Sequence, residues 1–481
     1  MKVLYAIFEA IPFAKVGGLG DVGGALPKFL KKQRNDVRVI MPKHACIPER
    51  FKNRMKTVAD FHTNLGWRTP YCGLQELEYN GVTYYFIDNE YYFKRDDVYG
   101  YDDDAERVAF FCRAALESLS CFENFKPQVI HCNDWHTSLI PVMLREFYGD
   151  HPHYYDIKTV MTIHNLKFQG IFSKRLLGDL LGMEHHTAPS AHLDWGDSLN
   201  FFKGGLIYSD AVTTVSPTYA REIQTPYYGE GLDGVLRWQG ERLRGIINGI
   251  DYNSYNPSTD KAIFQKYAQG DDEGKAFNKK ALRELLNLST NEDLPLFIMV
   301  SRLTEQKGLD LLSYIFEELL SSEDIQFAAL GTGDPQYEDM LLYFAGRFPH
   351  KMSVRTVFDD DLSRKFYAGG DFLVAPSRFE PCGVTQMIAM RYGTLPVVRE
   401  TGGFKDTVIP YNCYTGDGNG FSFANYNAHE LLAALRRAAR LYSKNQKALN
   451  TLRQHAYAAD FSWEKSAGEY IQLYNEIIKK S

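Results

Sequence analysis

The sequence predicts an α/β protein made of two doubly wound, parallel-sheet domains, and three observations carry that expectation. Short apolar runs rich in Val, Ile, Leu and Phe recur between longer stretches of helical periodicity, the pattern of βαβ units whose strands are buried on both faces. The runs fall into two series, separated by the polar stretches DYNSYNPSTD and QGDDEGK between residues 251 and 275. At 481 residues the chain also has room for more than one core, since a domain usually takes about 100–200 residues.

In chain order, strands are expected at Val3–Phe8, Val37–Met41, Val129–Cys132, Val160–Ile163 and Ala211–Val215, then at Leu296–Val300, Gln326–Leu330, Phe372–Ala375 and Leu395–Val398. The segment Trp463–Lys480 reads as a helix, with Ser462 as its cap. Trp463, Ala467, Tyr470, Ile471, Tyr474, Ile477 and Ile478 fall on one face that must dock on something apolar.

Composition narrows the function classes. Lys and Arg total 54 against 60 Asp and Glu, a net charge of −6, which argues against a nucleic-acid partner gripped through a broad basic surface. The seven cysteines form no C-x-x-C pair and no Cys/His cluster at zinc spacing, so a reducing compartment is expected. The opening apolar run ends at Glu9 after six residues, too short for a secretory segment. No run reaches the length of a membrane span. The expectation is a cytoplasmic protein with no membrane partner.

In open parallel sheets, ligands gather beyond the carboxyl ends of the strands, so polar residues just after strands are the informative ones. After the first strand comes FAKVGGLGDVGGALPKFL, with Lys15, Gly17, Gly18 and Gly20 running into a helix. This is either an anion cradle of backbone amides plus a lysine or a tight turn whose glycines serve close packing. The spacing is not G-x-G-x-x-G, which disfavours a nicotinamide-dependent oxidoreductase. Asn133, Asp134 and His136 follow one strand, and His164 and Asn165 follow its neighbour. In the second series Arg302 and Lys307 follow one strand, Gly331-Thr332-Gly333 the next, Glu380 another, and Thr401-Gly402-Gly403 the last. Each feature alone fits a structural residue or a surface pair; together they suggest one pocket for a phosphorylated, hydroxyl-rich ligand.

The words KVGGLGDV, HCNDWHT, TIHNLKFQG, VSRLTEQKG, SRFEPCGVTQ and ETGG closely resemble those of the bacterial and plant type of glycogen (starch) synthase, over essentially the whole chain. The resemblance implies the GT-B fold, two Rossmann-like domains facing a cleft, with the last helix returning to the first. The expected domains are then 1–245 with 461–481, the acceptor and catalytic side, and 246–460, the nucleotide-sugar side. It implies transfer of glucose from ADP-glucose to the non-reducing end of an α-1,4-glucan such as glycogen, with retention.

Residue by residue, the resemblance sets Lys15, Gly17 and Gly18 against the donor diphosphate and glucose, and has Arg302 and Lys307 neutralise the diphosphate. Asp134 and His164 would line the glucose site, the His164 carbonyl near the anomeric carbon. Glu380 would contact the transferred glucose, joined by backbone from Cys382 through Gly383 to Thr385. Gly331, Thr332, Gly333, Thr401, Gly402 and Gly403 would complete the donor site, and Phe358 would stack on adenine. Glu9, Tyr92 and Asn165, with the Tyr-rich stretch Tyr91–Tyr101, would be acceptor surface.

Two positions depart from the family pattern: Ile388 stands where the wider superfamily often has a second Glu, and Phe358 where a Tyr is often found. No cofactor or metal is expected, because Lys15, Arg302, Lys307 and helix N-termini supply the counter-charge. The runs Asp102–Asp104 and Asp359–Asp361 read as solvated loops. The alternatives are another GT-B nucleotide-sugar transferase, or a catalytically silent glucan-binding regulator, which would be expected to lack some of these residues.

Overall fold

Apolar, β-branched runs that bury on both faces become the strands of two parallel sheets. The computed structural model describes residues 1–183, 188–291 and 293–479. The chain divides into two units, Met1–Ile247 with Trp463–Ser481, and Asn248–Ser462.

The first unit carries β1 (Lys2–Ala6), β2 (Asp36–Pro42), β3 (Lys56–His62), β4 (Tyr71–Tyr79), β5 (Val82–Asp88), β6 (Val129–Asn133) and β7 (Lys158–Ile163). A small antiparallel sheet of β8 (Ile171–Ser173), β9 (Asp194–Trp195) and β10 (Ser198–Asn200) follows. Then come β11 (Ala211–Thr214) and β12 (Leu243–Gly245). The main sheet has nine strands in the order β12-β11-β7-β6-β1-β2-β5-β4-β3. From β12 to β5 all neighbours are parallel. β4 is antiparallel to both β5 and β3, so β3 points the same way as β1. After β1 the chain builds β2 on one side and later β6 on the other. The strand order therefore reverses at β1, where the loops part and a crevice forms.

The second unit holds β13 (Leu296–Val300), β14 (Gln326–Leu330), β15 (Met352–Arg355), β16 (Phe372–Ala375), β17 (Leu395–Arg399) and β18 (Phe421–Phe423). They form one parallel sheet in the order β15-β14-β13-β16-β17-β18, with its reversal between β13 and β16.

β13, β14 and β16 have the expected bounds. β1 stops at Ala6 rather than Phe8, and the Phe8 carbonyl meets the Nε2 of His44 instead, at 2.9 Å. The strands β3–β5, β8–β10, β12, β15 and β18 were not expected. β3 is half-exposed along its length, so it lacks the continuous apolar run that marks the central strands. The β4–β5 turn is Asn80-Gly81 with φ of 52° and 76°, the left-handed pair that a tight hairpin requires.

The last helix spans Trp463–Lys479; Lys480 lies outside the described residues. Trp463, Ala467, Tyr470, Tyr474 and Ile477 are buried as expected, joined by Ser466 and Leu473, whereas Ile471 and Ile478 are only half-buried. The helix packs on Gly18–Lys32, and the Tyr474 hydroxyl meets the Nδ1 of buried His131 at 2.6 Å. Among the described residues no helix is long and apolar enough to cross a membrane.

Candidate active site

In the first unit, the loop between β1 and the helix Gly18–Lys32 is shaped by Glu9. Its side chain is buried, and Oε2 accepts from the backbone N–H of Val16 at 2.5 Å and of Gly17 at 3.0 Å. Oε1 accepts from the Tyr99 hydroxyl at 2.8 Å. Glu9 thus sits beneath the loop as its anchor and is not the open acceptor surface expected of it. The glycines divide by role. A Cβ at Gly23 would lie 2.4 Å from the Glu9 carbonyl and one at Gly24 2.3 Å from Ile11, so these serve packing. At Gly17 and Gly18 a Cβ would meet nothing within 4 Å, so the backbone there is open to a ligand. Lys15 is half-exposed beside them and pairs with Asp21 at 2.7 Å.

Asp134 and His164 follow adjacent strands. Asp134 has φ 55° and ψ −178°, a conformation costing a residue with a side chain about 1–3 kcal/mol. It is held there by its N–H on the Thr162 carbonyl at 2.9 Å and by its Oδ1, which accepts from the His164 N–H at 2.8 Å. Burial pushes the Asp134 carboxyl up to about 7, against the opposing pull of the His164 and Asn165 amides. Burial lowers the His164 imidazole to about 3, so it is neutral. Its Nε2 lies 2.9 Å from Asn133 Oδ1. Because Asn133 Nδ2 donates to the Ala6 carbonyl at 3.0 Å, its Oδ1 is the acceptor, and His164 carries its proton on Nε2.

In the second unit Arg302, Lys307, Ser377, Glu380, Thr385 and Phe404 line one pocket beyond β13 and β16, at the strand-order reversal. The Lys307 Nζ lies 2.6 Å from Glu380 Oε2, to which Ser377 Oγ also donates at 3.1 Å. The two loops are tied further by Gln306, whose carbonyl accepts from the Arg378 N–H at 2.8 Å and whose Nε2 donates to the Phe379 carbonyl at 3.2 Å. Ser377, Gln306 and Phe404 were not singled out from sequence, and Tyr99, in the first unit, only as part of the stretch Tyr91–Tyr101.

The glycines of these loops have a packing reason. A Cβ at Gly331 would fall 1.8 Å from the Ser301 carbonyl and one at Gly333 2.2 Å from that of Leu303. At Gly402 and Gly403 it would fall 1.9 Å from the carbonyls of Glu380 and Cys382. The glycines therefore press neighbouring loops onto the strand ends that carry Arg302 and Glu380. Thr401 is buried at the start of the helix Gly402–Thr407, and Thr332 is exposed. Cys382 is buried, which pushes its thiol up to about 12, and Gly383 follows it into the helix Thr385–Arg391.

Comparison with known proteins fits this arrangement. A family described as the starch synthase catalytic domain matches residues 2–238, and one described as glycosyl transferases group 1 matches residues 285–457. A glycogen synthase of Clostridium novyi is 50% identical over 480 residues, covering 100% of both chains. The chain belongs to the glycogen synthase family. A second relative, a glycogen synthase of Geobacillus thermodenitrificans, is also 50% identical, over 100% of this chain and 98% of its own. Among solved structures, the catalytic domain of starch synthase IV from Arabidopsis thaliana, bound to ADP and acarbose, superposes with a TM-score of 0.89 at 33% identity over 99% of both chains. A sucrose-phosphate synthase from Thermosynechococcus elongatus, 17% identical with a TM-score of 0.59, shares the fold. The fold is GT-B, and the protein is a glycosyltransferase of the starch and glycogen synthase type.

Several positions taken from the glycogen synthase resemblance can now be placed. Phe358 is 88% exposed, just after β15 and before the helix Asp360–Gly369, so its ring is open to stacking. Asn165 is half-buried beside His164, its Oδ1 accepting from the Lys167 N–H at 3.1 Å. Tyr92 departs from its expected place: it is buried, with its hydroxyl 2.5 Å from Glu106, and the exposed ring of that stretch is its neighbour Tyr91. The two lie in one helical turn, Glu90–Phe93, where successive residues face different ways. The aspartate runs are not simply solvated. Asp104 is buried against Arg107 at 2.5 Å, and Asp359 caps its helix by accepting from the Leu362 N–H at 2.9 Å. Among the described residues no group of three or more His, Cys, Asp and Glu is placed to hold a metal ion.

Proposed function

We propose that this glycogen synthase takes its glucosyl group from ADP-glucose and adds it to the non-reducing end of an α-1,4-glucan, with retention, in the cytoplasm and without a divalent metal. The observation that carries this reading is the pocket in which Arg302, Lys307 and Glu380 converge beyond β13 and β16.

Cleaving the bond between glucose and a diphosphate develops positive charge on the sugar and negative charge on the leaving group, which holds about two negative charges or more near neutral pH. Arg302 and Lys307 meet that charge. Fixed cations in a site that excludes water stabilise developing charge without reorganising, usually the largest catalytic contribution. Glu380, joined to Lys307, contacts the sugar hydroxyls, and Phe358 stacks on the adenine.

Retention requires the new bond to form on the face that the diphosphate leaves. One Asp134 oxygen is held by the His164 N–H, and the family resemblance assigns no protein nucleophile to a covalent route. The step is therefore same-face attack: the C1–O bond to phosphate breaks, the acceptor O4 bonds to C1, and its proton passes to the leaving phosphate oxygen.

A donor panel of ADP-, UDP- and GDP-glucose with glycogen as acceptor, run with and without EDTA, tests the reading. ADP-glucose is expected to be much the best donor, with turnover that survives EDTA. Equal or better turnover with UDP-glucose overturns the base assignment, and activity restored only by Mg²⁺ or Mn²⁺ overturns the metal-free mechanism. No transfer from any donor overturns the site.

A further inference from the structure

Asn133 closes β6 with its side chain buried, and its whole hydrogen-bonding capacity is used. Its Nδ2 donates to the Ala6 carbonyl at 3.0 Å and to the His131 carbonyl at 3.4 Å, so both amide hydrogens lie on strand backbones. Its Oδ1 accepts from the Tyr5 hydroxyl at 2.9 Å and faces His164 Nε2 at 2.9 Å. An amide has two N–H donors and one oxygen with two lone pairs, and here each has a partner. The orientation is therefore unique, because a flip would set Oδ1 against two carbonyl oxygens.

The surroundings keep Asn133 in place. Tyr5, buried on β1, meets the His131 ring edge to face at 4.7 Å between centroids. The two nitrogens of His131 are spanned by the hydroxyls of Tyr474 and Thr162, each at 2.6 Å. A filled polar layer thus runs from the last helix to Asn133, and the amide cannot swing with a ligand.

A carbonyl oxygen only accepts, so His164 turns Nε2–H toward it and keeps Nδ1 as a bare lone pair. Among the described residues Nδ1 has no hydrogen-bond partner, and His164 is only half-buried past the end of β7. An amide suits this place better than a carboxylate would. A carboxylate facing Nε2–H would favour a second proton on the ring, whereas the neutral amide orients the ring without drawing one. An imidazolium would repel positive charge developing on a sugar, and would offer it a donor instead of an acceptor.

We propose that Asn133 is a positioning residue: by fixing His164 in its Nε2-protonated tautomer, it keeps Nδ1 as the acceptor for one hydroxyl of the sugar being transferred. The proposal rests on the reading of ADP-glucose as donor, with His164 beside the glucosyl group. As positive charge develops on that group its hydroxyls become stronger donors. The hydrogen bond to Nδ1 therefore strengthens in the transition state, and its loss is read in kcat as well as in KM.

The test compares full-length wild type with Asn133→Leu, using glycogen as acceptor. The donors are ADP-glucose and its 2-, 3-, 4- and 6-deoxy analogues. Nitrogen-15 NMR of histidine-labelled wild type at neutral pH, with His164 assigned from His164→Asn, reads the tautomer directly. The wild-type spectrum is expected to show a protonated Nε2 and a bare Nδ1. Asn133→Leu should lower kcat with ADP-glucose roughly 10- to 100-fold, the usual effect of removing a group that orients an active-site ligand. The same replacement should cost almost nothing with one deoxy analogue, the one that lacks the partner of Nδ1. An equal loss with every donor assigns Asn133 to the fold alone and overturns the proposal, as does full activity of the variant. A wild-type ring protonated on Nδ1 overturns it whether or not Asn133→Leu folds. That result in an enzyme that does transfer glucose overturns the proposal alone, whereas wild type that transfers nothing from ADP-glucose overturns the donor reading and the proposal with it.

Discussion

The ammonium of Lys307 lies 2.6 Å from the carboxylate of Glu380, although 73 residues separate them in the chain. The contact couples the loop after β13 to the loop after β16. Gln306 strengthens the same coupling and Ser377 steadies Glu380 within its own loop, so the group proposed to meet the phosphate and the group proposed to meet the sugar move as one piece. Replacing Arg302 or Lys307 by Ala should lower kcat by roughly 10²- to 10³-fold, about 2.7–4 kcal/mol. Arg302 is exposed, and its loss should leave the melting curve in place. Steady-state kinetics beside circular dichroism check this, and full activity in either variant would return it to a surface charge.

Glu9 accepts from two loop amides and a tyrosine hydroxyl. Hydrogen bonds to a charged group are worth about 1.5–3 kcal/mol each. Glu9→Ala leaves the loop amides without that acceptor, and the segment bearing Lys15 and Gly17 loses its shape. The expected result is a kcat/KM for the donor reduced at least tenfold, roughly 1.4 kcal/mol or more. If Glu9 acted on the acceptor instead, the KM for glucan would rise and donor binding by calorimetry would be unchanged.

The glycines of the first loop offer a contrast within one segment. Gly18→Ala should fold as wild type, because its Cβ meets nothing, and should bind donor poorly because the methyl stands where the ligand approaches. Gly24→Ala drives a Cβ to 2.3 Å from Ile11 and should destabilise the first unit by about 1–3 kcal/mol. Melting temperatures and donor titrations of the pair separate the two roles.

Much of this was legible in the sequence because parallel strands are continuous apolar runs and their functional residues follow directly. Arg302, Lys307 and Glu380 could be placed at strand ends by counting alone. β3 escaped because it is half-exposed, whereas β5 is a largely buried run that was overlooked, although Asn80-Gly81 was an available signal of the β4–β5 hairpin. The strain at Asp134, the inward turn of Glu9 and the choice between Tyr91 and Tyr92 depend on where backbone amides and helical turns point. The glycines of Gly331-Thr332-Gly333 look the same in sequence whether they admit a ligand or a neighbouring carbonyl.

Burial sets opposite pH dependences in the first unit. His44 is lowered to about 4, and His131, His136 and His164 to about 3, from 6.5 in the unfolded chain. Below pH 6.5 the unfolded state binds more protons at these positions, so the stability they confer is present above 6.5 and is lost as pH falls. Asp134 acts the other way: its carboxyl rises from 3.8 to about 7, the folded state holds the extra proton, and stability falls as pH rises across that window. Four groups outweigh one, so denaturant unfolding should show stability rising from pH 4.5 to 6.5, roughly. Asp134→Asn should steepen that rise, and an unchanged slope would contradict the burial of its carboxyl.

The central claim is that these residues form a new α-1,4 bond from ADP-glucose by same-face displacement without a metal. The most direct measurement is proton NMR of the product made from ADP-glucose and maltotriose in excess EDTA. Released ADP is expected to accompany a new anomeric signal with the small coupling of an α-linked glucose at O4. A β-linked product, free glucose alone, or no reaction until Mg²⁺ is added would contradict it.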